Sequence, residues 1–471
     1  MIALPPAMAV LLQMFGLLFS NRWIEQWQQS PAGPVKKRPR ARFYQRIYSL
    51  RVTLWYLIYQ RLNFDGTLAA VVTDVRRGGA DRLGRRGRKL SHRVRSTKTS
   101  AYSQARQRLP LKLLEAALTH LGKLLCKQVG YDPAPRSPPG PASRTRQLLD
   151  GSTLAILATP ELARAFPPAR NQNGSSDWCL MRILVGFCAR SGAILSATSG
   201  PLQHSEQALA WILLAGAPAF TVWIGDRNFG VWSVVAQATR YRQDVLVRLT
   251  KTRARKLCAG RPMVSGEDRP VQWKRSRHDQ AAPGTTRTVV AGRLIYVRLK
   301  KAGRYIDLWL FTTLPASDYP VALLVSWYGQ RWQAELHFRS VKTQLKMSEL
   351  DVGTAAMARK EFYAGLLAYS LVRAVMWSAG ERLETGIKAL SFSQARRILQ
   401  TRLQDWGRGL TGDNRQWAQE ILREIVRHTL PPRRKPRRSE VRRVRHRRQK
   451  FPPLKGRRAL ARRLDLRTKS L

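Results

Sequence analysis

Acidic residues are scarce in this sequence: 29 Asp or Glu stand against 84 Lys or Arg in 471 residues, a formal net charge of +55. A folded chain with such an excess of one sign needs a polyanionic partner to offset its self-repulsion. Cysteine is also rare, because the chain has only Cys126, Cys179, Cys188 and Cys258, with no C-x-x-C pair. This scarcity argues against a disulfide framework or a zinc knuckle and favours a reducing, cytoplasmic setting.

Long apolar runs are missing as well. The stretch from Met8 to Phe19 is shorter than the ~18 to 20 apolar residues of a membrane span, and Gln13 interrupts it. We predict a short packing helix there and no membrane partner, which leaves nucleic acid as the expected polyanion. The apolar content of 44% suffices for a sizeable core in a chain too long for one ordinary domain.

Changes of composition divide the chain into predicted regions. These are a helical, DNA-binding amino-terminal region with basic linkers (1–130), two parts of an α/β core (131–245 and 316–380), a β-rich insertion between them (246–315), a C-terminal helical region (381–430) and a basic tail (431–471). The tail holds 18 Lys or Arg against two acidic residues, a local charge of +16. We expect it to be disordered without nucleic acid.

The segment YGQRWQAELHFRSVK (328–342) has helical periodicity. At ~100° per residue, Tyr328, Arg331, Glu335 and Lys342 fall within about 60° of one another, beside an apolar stripe that begins at Trp327. A carboxylate at the rim of a buried face needs a compensating cation. An ordinary ion pair between Arg331 and Glu335, four residues apart, is the simpler alternative.

Two aspartates accompany predicted strands. Asp226 ends the apolar run AFTVWIG, at the strand end where α/β sheets bind ligands, and its alternative role is a helix N-cap. Asp150 stands between RQLL and GSTLAI, and its alternative is an Asp-Gly hairpin turn. With Glu335 they offer carboxylates from different elements, as paired metal ions require. Such a site can cut a phosphodiester and transfer the freed strand without a covalent protein–DNA bond.

The spacing Y-x-x-R-x-x-x-E-x-x-x-x-x-x-K resembles the signature of the RNase H-like DDE transposases of bacterial insertion sequences, in the insertion-sequence-four family that includes the Tn-five transposase. Four residues meet it: Tyr328, Arg331, Glu335 and Lys342. The segments LLDGSTLAI around Asp150 and WIGDRNFG around Asp226 support the resemblance. It implies an α/β fold: an RNase H-like catalytic core with a β-strand insertion, flanked by N-terminal and C-terminal helical regions.

The resemblance also implies roles for individual residues. Asp150, Asp226 and Glu335 are expected to hold two Mg²⁺ ions, for which Mn²⁺ can substitute, while Tyr328, Arg331 and Lys342 position the phosphates of the transposon end. Trp309 matches a tryptophan that stacks on a flipped base, although a strand Trp is more often core. Arg227 is a further phosphate-contact candidate. The family often has Gly where Asn228 stands.

The implied function is transposition by cut-and-paste. The expected partners are double-stranded DNA, both transposon ends and target, and a second copy of the chain in a synaptic homodimer on the bacterial nucleoid. Two alternatives stay open. A Tyr or Ser recombinase would store bond energy in a covalent protein–DNA bond and need no metal. A decayed, catalytically inactive DNA-binding protein would bind by counterion release alone.

Overall fold

The structure is a computed structural model that describes residues 11–30, 33, 47–63, 65–84, 89–171, 174–175, 178–301, 304–383, 386–407 and 414–430. The predicted basic tail at 431–471 and the first residues of the apolar stretch at 8–19 lie outside this part of the chain.

The amino-terminal part of the described chain is helical, as predicted, and helices recur between and after the strands. The helices are α1 (Leu11–Leu18), α2 (Asn21–Gln29), α3 (Leu50–Leu62), α4 (Leu68–Arg76), α5 (Ser100–Arg108), α6 (Leu111–Gln128), α7 (Pro160–Ala165), α8 (Glu206–Gly216), α9 (Trp232–Arg240), α10 (Lys251–Leu257), α11 (Val321–Gly329), α12 (Trp332–Arg339), α13 (Ala355–Gly380), α14 (Phe392–Gly407) and α15 (Asn414–Arg427). The expected packing helix is α1, whose Phe15 is fully buried.

The strands begin where the Pro-rich segment 131–145 ends. They are β1 (Arg146–Ile156), β2 (Arg170–Asn171), β3 (Gly174–Ser175), β4 (Cys179–Cys188), β5 (Ile194–Pro201), β6 (Val222–Gly225), β7 (Asp244–Arg248), β8 (Asp268–Lys274), β9 (Val289–Lys301), β10 (Arg304–Thr312) and β11 (Glu349–Leu350). Strands β8, β9 and β10 lie within the segment 246–315 that was predicted to be a β-rich insertion, and β9 and β10 form an antiparallel hairpin.

One mixed sheet organises the molecule, with strand order β5-β4-β1-β6-β7-β10-β9-β8 and β11 paired to the far end of β1. β4 runs antiparallel to β1, whereas β6 and β7 run parallel to it. The five strands β5, β4, β1, β6 and β7 thus have the order and directions of an RNase H-like core, which confirms the predicted fold class. Strands β8 to β10, from the predicted insertion, extend the same sheet.

Apolar side chains cover both faces of the sheet because successive strand residues point in opposite directions. Leu148 packs in the core formed with α13 and the amino-terminal helices, while Leu149 packs on the opposite face with α8 and α9. Within the described residues, α13 alone has the length and hydropathy of a membrane span, but 83% of its apolar window is buried inside the protein. It is therefore the core helix of this layer.

A buried carboxylate joins the amino-terminal helices to the core. Glu361 of α13 is fully buried and forms ion pairs with Arg61 of α3, at 2.6 Å, and with Arg106 of α5. The side chain of Lys360 donates to the backbone oxygens of Arg106 and Gln107 at the end of α5. Because a buried charge is tolerated only when paired, these contacts fix the position of α3 and α5 on α13.

The segment 328–342 is not the single regular helix that the periodicity predicted. α11 ends at Gly329. The N–H groups of Gln330 and Arg331 each donate to the carbonyl oxygen three residues earlier, which gives the backbone a 3₁₀-like turn before α12 begins. After α12, residues 340–344 form a π-helical turn, in which the Leu345 N–H donates to the Ser340 oxygen. These changes alter the rotation per residue, so angles calculated at ~100° per residue do not describe the whole segment.

Candidate active site

Asp150 lies inside strand β1 and not at a turn. It pairs with Val185 of β4, and β1 continues to Ile156, so the alternative of an Asp-Gly hairpin turn is wrong. Side chains alternate along a strand, so Asp150 points to the same face as Leu148 and Ser152. This is the face that α13 covers and against which α12 also packs.

Asp226 is brought beside Asp150 by the register of two parallel strands. Leu149 of β1 pairs with Gly225, the last residue of β6. Asp150 and Asp226 are therefore the next residues along neighbouring strands. Because the two strands run in the same direction, their carboxylates meet at one edge of the sheet.

The loop after β6 holds Asp226 by a backbone hydrogen bond. The Asn228 N–H donates to Asp226 Oδ1 at 2.9 Å. Helix α9 begins only at Trp232, with Val231 at its N-cap position. The alternative role of Asp226 as the cap of that helix is therefore wrong, and its carboxylate accepts within its own turn instead.

The carboxyl of Asp150 is largely buried, among charged groups of both signs. The pKa of Asp150 is raised to about 6, mainly by burial and to a smaller extent by the carboxylates of Asp226 and Glu206. The Gly151 N–H, which donates to Asp150 Oδ1 at 3.0 Å, and the Arg331 guanidinium lower this pKa but do not cancel the effect of burial. A bound cation would relieve the clustering of these carboxylates.

Glu335 lies across from the two aspartates on α12. Its side chain is 50% exposed and forms an ion pair with Arg331 at 3.4 Å, the simpler alternative that the sequence left open. Arg331 thus interacts with both Glu335 and Asp150. In the described ranges, no set of three or more His, Cys, Asp or Glu side chains is arranged to hold a metal ion. The structure brings Asp150 and Asp226 together and leaves Glu335 paired with Arg331.

The remaining residues of the spacing motif face the same site. Burial raises the pKa of Tyr328, whereas the neighbouring charges of Arg331 and Arg248 lower it and that of Asp226 raises it, so its hydroxyl lies among these groups. Lys342 Nζ donates to Ser152 Oγ at 3.1 Å, two residues beyond Asp150 on β1. Burial lowers the pKa of this lysine.

Two further residues of the site were not predicted. Arg248 ends β7 level with Asp226, because Val247 pairs with Gly225 in the parallel register. The sequence could have indicated this residue, since Arg248 is the charged residue that ends an apolar run, just as Asp226 is. Glu206, the first residue of α8, reaches the site through Asn228, whose side-chain amide donates to its Oε2 at 2.6 Å. A lone Glu in the first turn of a helix gives no such signal.

Arg227 and Trp309 differ in how they are placed. Arg227 is exposed in the loop directly after Asp226. Trp309 of β10 is half-buried against the core and stacks on Tyr296 of β9, with ring centroids 4.2 Å apart. Its indole Nε1 is buried and has no hydrogen-bond partner in the structure. Trp309 therefore occupies a strand position that belongs partly to the core.

The sequence comparisons agree with this geometry. Residues 142–371, which include both aspartates and Glu335, match the family model described as a transposase DDE domain. These residues are therefore similar to the DDE transposases, the class of protein that the spacing motif resembles.

A particular relative is the transposase InsG for insertion sequence element IS4 of Escherichia coli, 25% identical over 305 residues. The alignment covers 63% of this chain and 65% of InsG, so the chain spans just under two thirds of that relative. Among solved structures, a cryo-EM structure of the piggyBac transposase synaptic complex with hairpin DNA is 11% identical and has a TM-score of 0.40, covering 91% of this chain and 87% of that one.

Proposed function

We propose that this chain is a metal-dependent DNA transposase that cleaves DNA at the ends of an insertion sequence and joins those ends to target DNA by cut-and-paste. The observation that carries the proposal is the register of β1 and β6 inside the matched transposase domain. It sets Asp150 and Asp226 side by side, opposite the helix that bears Glu335.

Asp150, Asp226 and Glu335 are the residues that would hold two divalent cations. Their carboxylate oxygens are the hard ligands that Mg²⁺ and Mn²⁺ prefer, and the pKa of Asp150 is raised because its carboxylate is buried and has two other carboxylates nearby. When bound, the ions would polarise the phosphoryl oxygens and activate water and then the 3′ hydroxyl. Glu335 would exchange its half-exposed pair with Arg331 for the cations, a pair that contributes little in water.

Cationic groups around the aspartates would bind the DNA backbone. Arg331, Lys342 and Arg248 face the site, and Arg227 is exposed beside Asp226. Helix α10 follows β7 after a gap of two residues. It contributes Lys251, Arg255 and Lys256 to the lining of an open cavity of about 470 Å³. Arg253 of the same helix donates to the Gly230 oxygen and ties α10 to the loop after Asp226. Phosphates would be neutralised by these side chains.

The proposed reaction joins two transposon ends, so we propose that the chain acts as a homodimer on DNA. Trp309 would stack on a flipped base only after leaving its stack with Tyr296. The unpaired indole Nε1 supports this role, because the present position of Trp309 leaves that donor unsatisfied.

The test is nicking and joining of labelled DNA that carries the element's own terminal repeats, with Mg²⁺ and then with EDTA. We expect Glu335→Gln to bind this DNA almost as the wild type does but to lose strand cleavage. The matched control is Glu349→Gln, which neutralises an exposed glutamate at the end of the same sheet and should cleave normally.

Each contrary outcome identifies an alternative. Cleavage retained by Glu335→Gln would refute the metal-ligand assignment. Cleavage by the wild type in EDTA, with a protein–DNA adduct that survives denaturation, would favour a Tyr or Ser recombinase. Binding without cleavage under any metal condition would leave an inactive DNA-binding protein.

A further inference from the structure

A fourth carboxylate, Glu206, is built into the site from the opposite face of the sheet. It is the first residue of α8, where the Ser205 side chain caps the helix by accepting from the Ala208 N–H at 3.1 Å. This cap fixes where the helix begins. The side chain of Glu206 then extends from the first turn toward the carboxyl ends of β1 and β6.

Asn228 connects Glu206 to Asp226. Its side-chain Nδ2 donates to Glu206 Oε2 at 2.6 Å, while its backbone N–H donates to Asp226 Oδ1 at 2.9 Å. Gln207 completes the contact, because its Nε2 donates to Asn228 Oδ1 at 2.6 Å and to the Asn228 backbone oxygen at 3.0 Å. The turn that carries Asp226 is therefore held by two consecutive residues of α8.

Gly151 shows how closely Glu206 approaches the other aspartate. A Cβ atom at position 151 would lie 2.4 Å from Glu206 Oε1 and 2.5 Å from its Cδ, too close for any side chain. The carboxylate therefore packs on the backbone of the residue that follows Asp150. Glu206 thus contacts the supports of both aspartates, the Asn228 turn on β6 and the Gly151 backbone on β1.

We propose that Glu206 is a positioning residue, which acts through Asn228 to set the orientation of Asp226 beside Asp150 for divalent-cation binding. The inference rests on the proposed function, since it assigns a support to the proposed metal ligands. A residue without a side-chain amide at position 228 could not make this connection.

The experiment measures Mn²⁺ binding to the full-length, DNA-free protein from the electron paramagnetic resonance signal of free Mn²⁺. The variants are Glu206→Ala, Glu206→Gln, Asn228→Ala and the double variant Glu206→Ala/Asn228→Ala. Glu349→Gln is the matched control, and thermal unfolding verifies that each variant folds. If Glu206→Ala fails to fold, Asn228→Ala and Glu206→Gln still decide the question.

We expect Glu206→Ala and Asn228→Ala each to weaken Mn²⁺ binding by about tenfold, the usual effect of losing a group that supports a metal ligand. The double variant should be no weaker than either one, because both changes break the same connection. Glu206→Gln keeps an oxygen that accepts from Asn228 and should bind within about threefold of the wild type.

The inference would be overturned if Glu206→Ala bound Mn²⁺ as tightly as the wild type, or if the losses of affinity in the double variant were additive. It would also be overturned if Glu206→Gln lost as much Mn²⁺ affinity as Glu206→Ala, because the charge of Glu206 and not its hydrogen bond would then be responsible. Asp226→Asn separates this failure from failure of the proposed function. If Asp226→Asn binds Mn²⁺ as tightly as the wild type, the proposed metal site itself is refuted, whatever the Glu206 variants do.

Discussion

Replacing Asp150 by Asn should stabilise the folded protein at pH 8 while abolishing catalysis. The wild-type carboxylate is buried beside other carboxylates, and these surroundings raise its pKa from 3.8 to about 6. An amide of the same shape carries no charge to desolvate, and its oxygen still accepts from the Gly151 N–H. The substitution therefore removes an unfavourable charge without removing the backbone contact.

The size of the gain follows from the shift in pKa. A change from 3.8 to about 6 corresponds to about 3 kcal/mol at pH values above 6, at ~1.4 kcal/mol for each pH unit. Since part of the Asp150 side chain reaches water, about 1 to 3 kcal/mol is a more realistic range. For a chain of 471 residues, at ~2.1 cal/mol/K of unfolding entropy per residue, a gain of about 2 kcal/mol raises the unfolding midpoint by roughly 2 °C.

The pH dependence gives the sign of the effect. A carboxyl whose pKa is raised on folding binds its proton more tightly in the folded state. Its unfavourable contribution is absent below pH 3.8, grows as the pH rises through about 6, and is constant above that. The advantage of Asp150→Asn should therefore be full at pH 8 and nearly lost at pH 4.

Thermal unfolding of the DNA-free protein in EDTA, at pH 8 and pH 4, measures this effect. Adding Mg²⁺ at pH 8 should raise the midpoint of the wild type more than that of Asp150→Asn, because only the wild type has the full set of proposed ligands. A variant that is no more stable than the wild type at pH 8, or equally stabilised at both pH values, would refute the reasoning.

Two other predictions concern stability and DNA binding. Glu361→Gln should lower the unfolding free energy by about 3 kcal/mol, because Arg61 and Arg106 would be left without a charged partner. Denaturant unfolding measures this loss, and a value under about 1 kcal/mol would contradict the prediction. Deleting 431–471, with its local charge of +16, should weaken DNA binding and flatten its dependence on salt, measured by titration at several salt concentrations. An unchanged salt slope would mean that the tail does not contact DNA.

Much of the fold follows from local pattern. Short apolar runs indicate β1 and β4, and alternating apolar residues indicate β9 and β10, because each pattern depends on which faces of an element are buried. The segment 328–342 was predicted wrongly in detail. Its apolar periodicity is helical, but periodicity alone does not reveal the tightened turn at Gln330 and Arg331 or the π-helical turn at 340–344.

The site was predictable only in its parts. Asp150, Asp226 and Glu335 are predicted from their local settings and the spacing motif, yet the closeness of the two aspartates depends on the pairing of β1 with β6, which joins residues about 75 positions apart. Glu206 was not predicted, because its role also depends on contacts between residues far apart in the sequence. Its contacts with Asn228 and Gly151 arise from packing between elements, which a helix-start glutamate does not reveal in sequence.

The π-helical turn at 340–344 makes this region intolerant of changes in chain length. The widened turn precedes α13, and within it Lys342 reaches Ser152. Deleting one residue of the turn ahead of Lys342 would move this lysine by one position, about 100° around the helix axis. Its contact with Ser152 would then be lost. Insertions and deletions selected in this short segment should therefore be far rarer than substitutions.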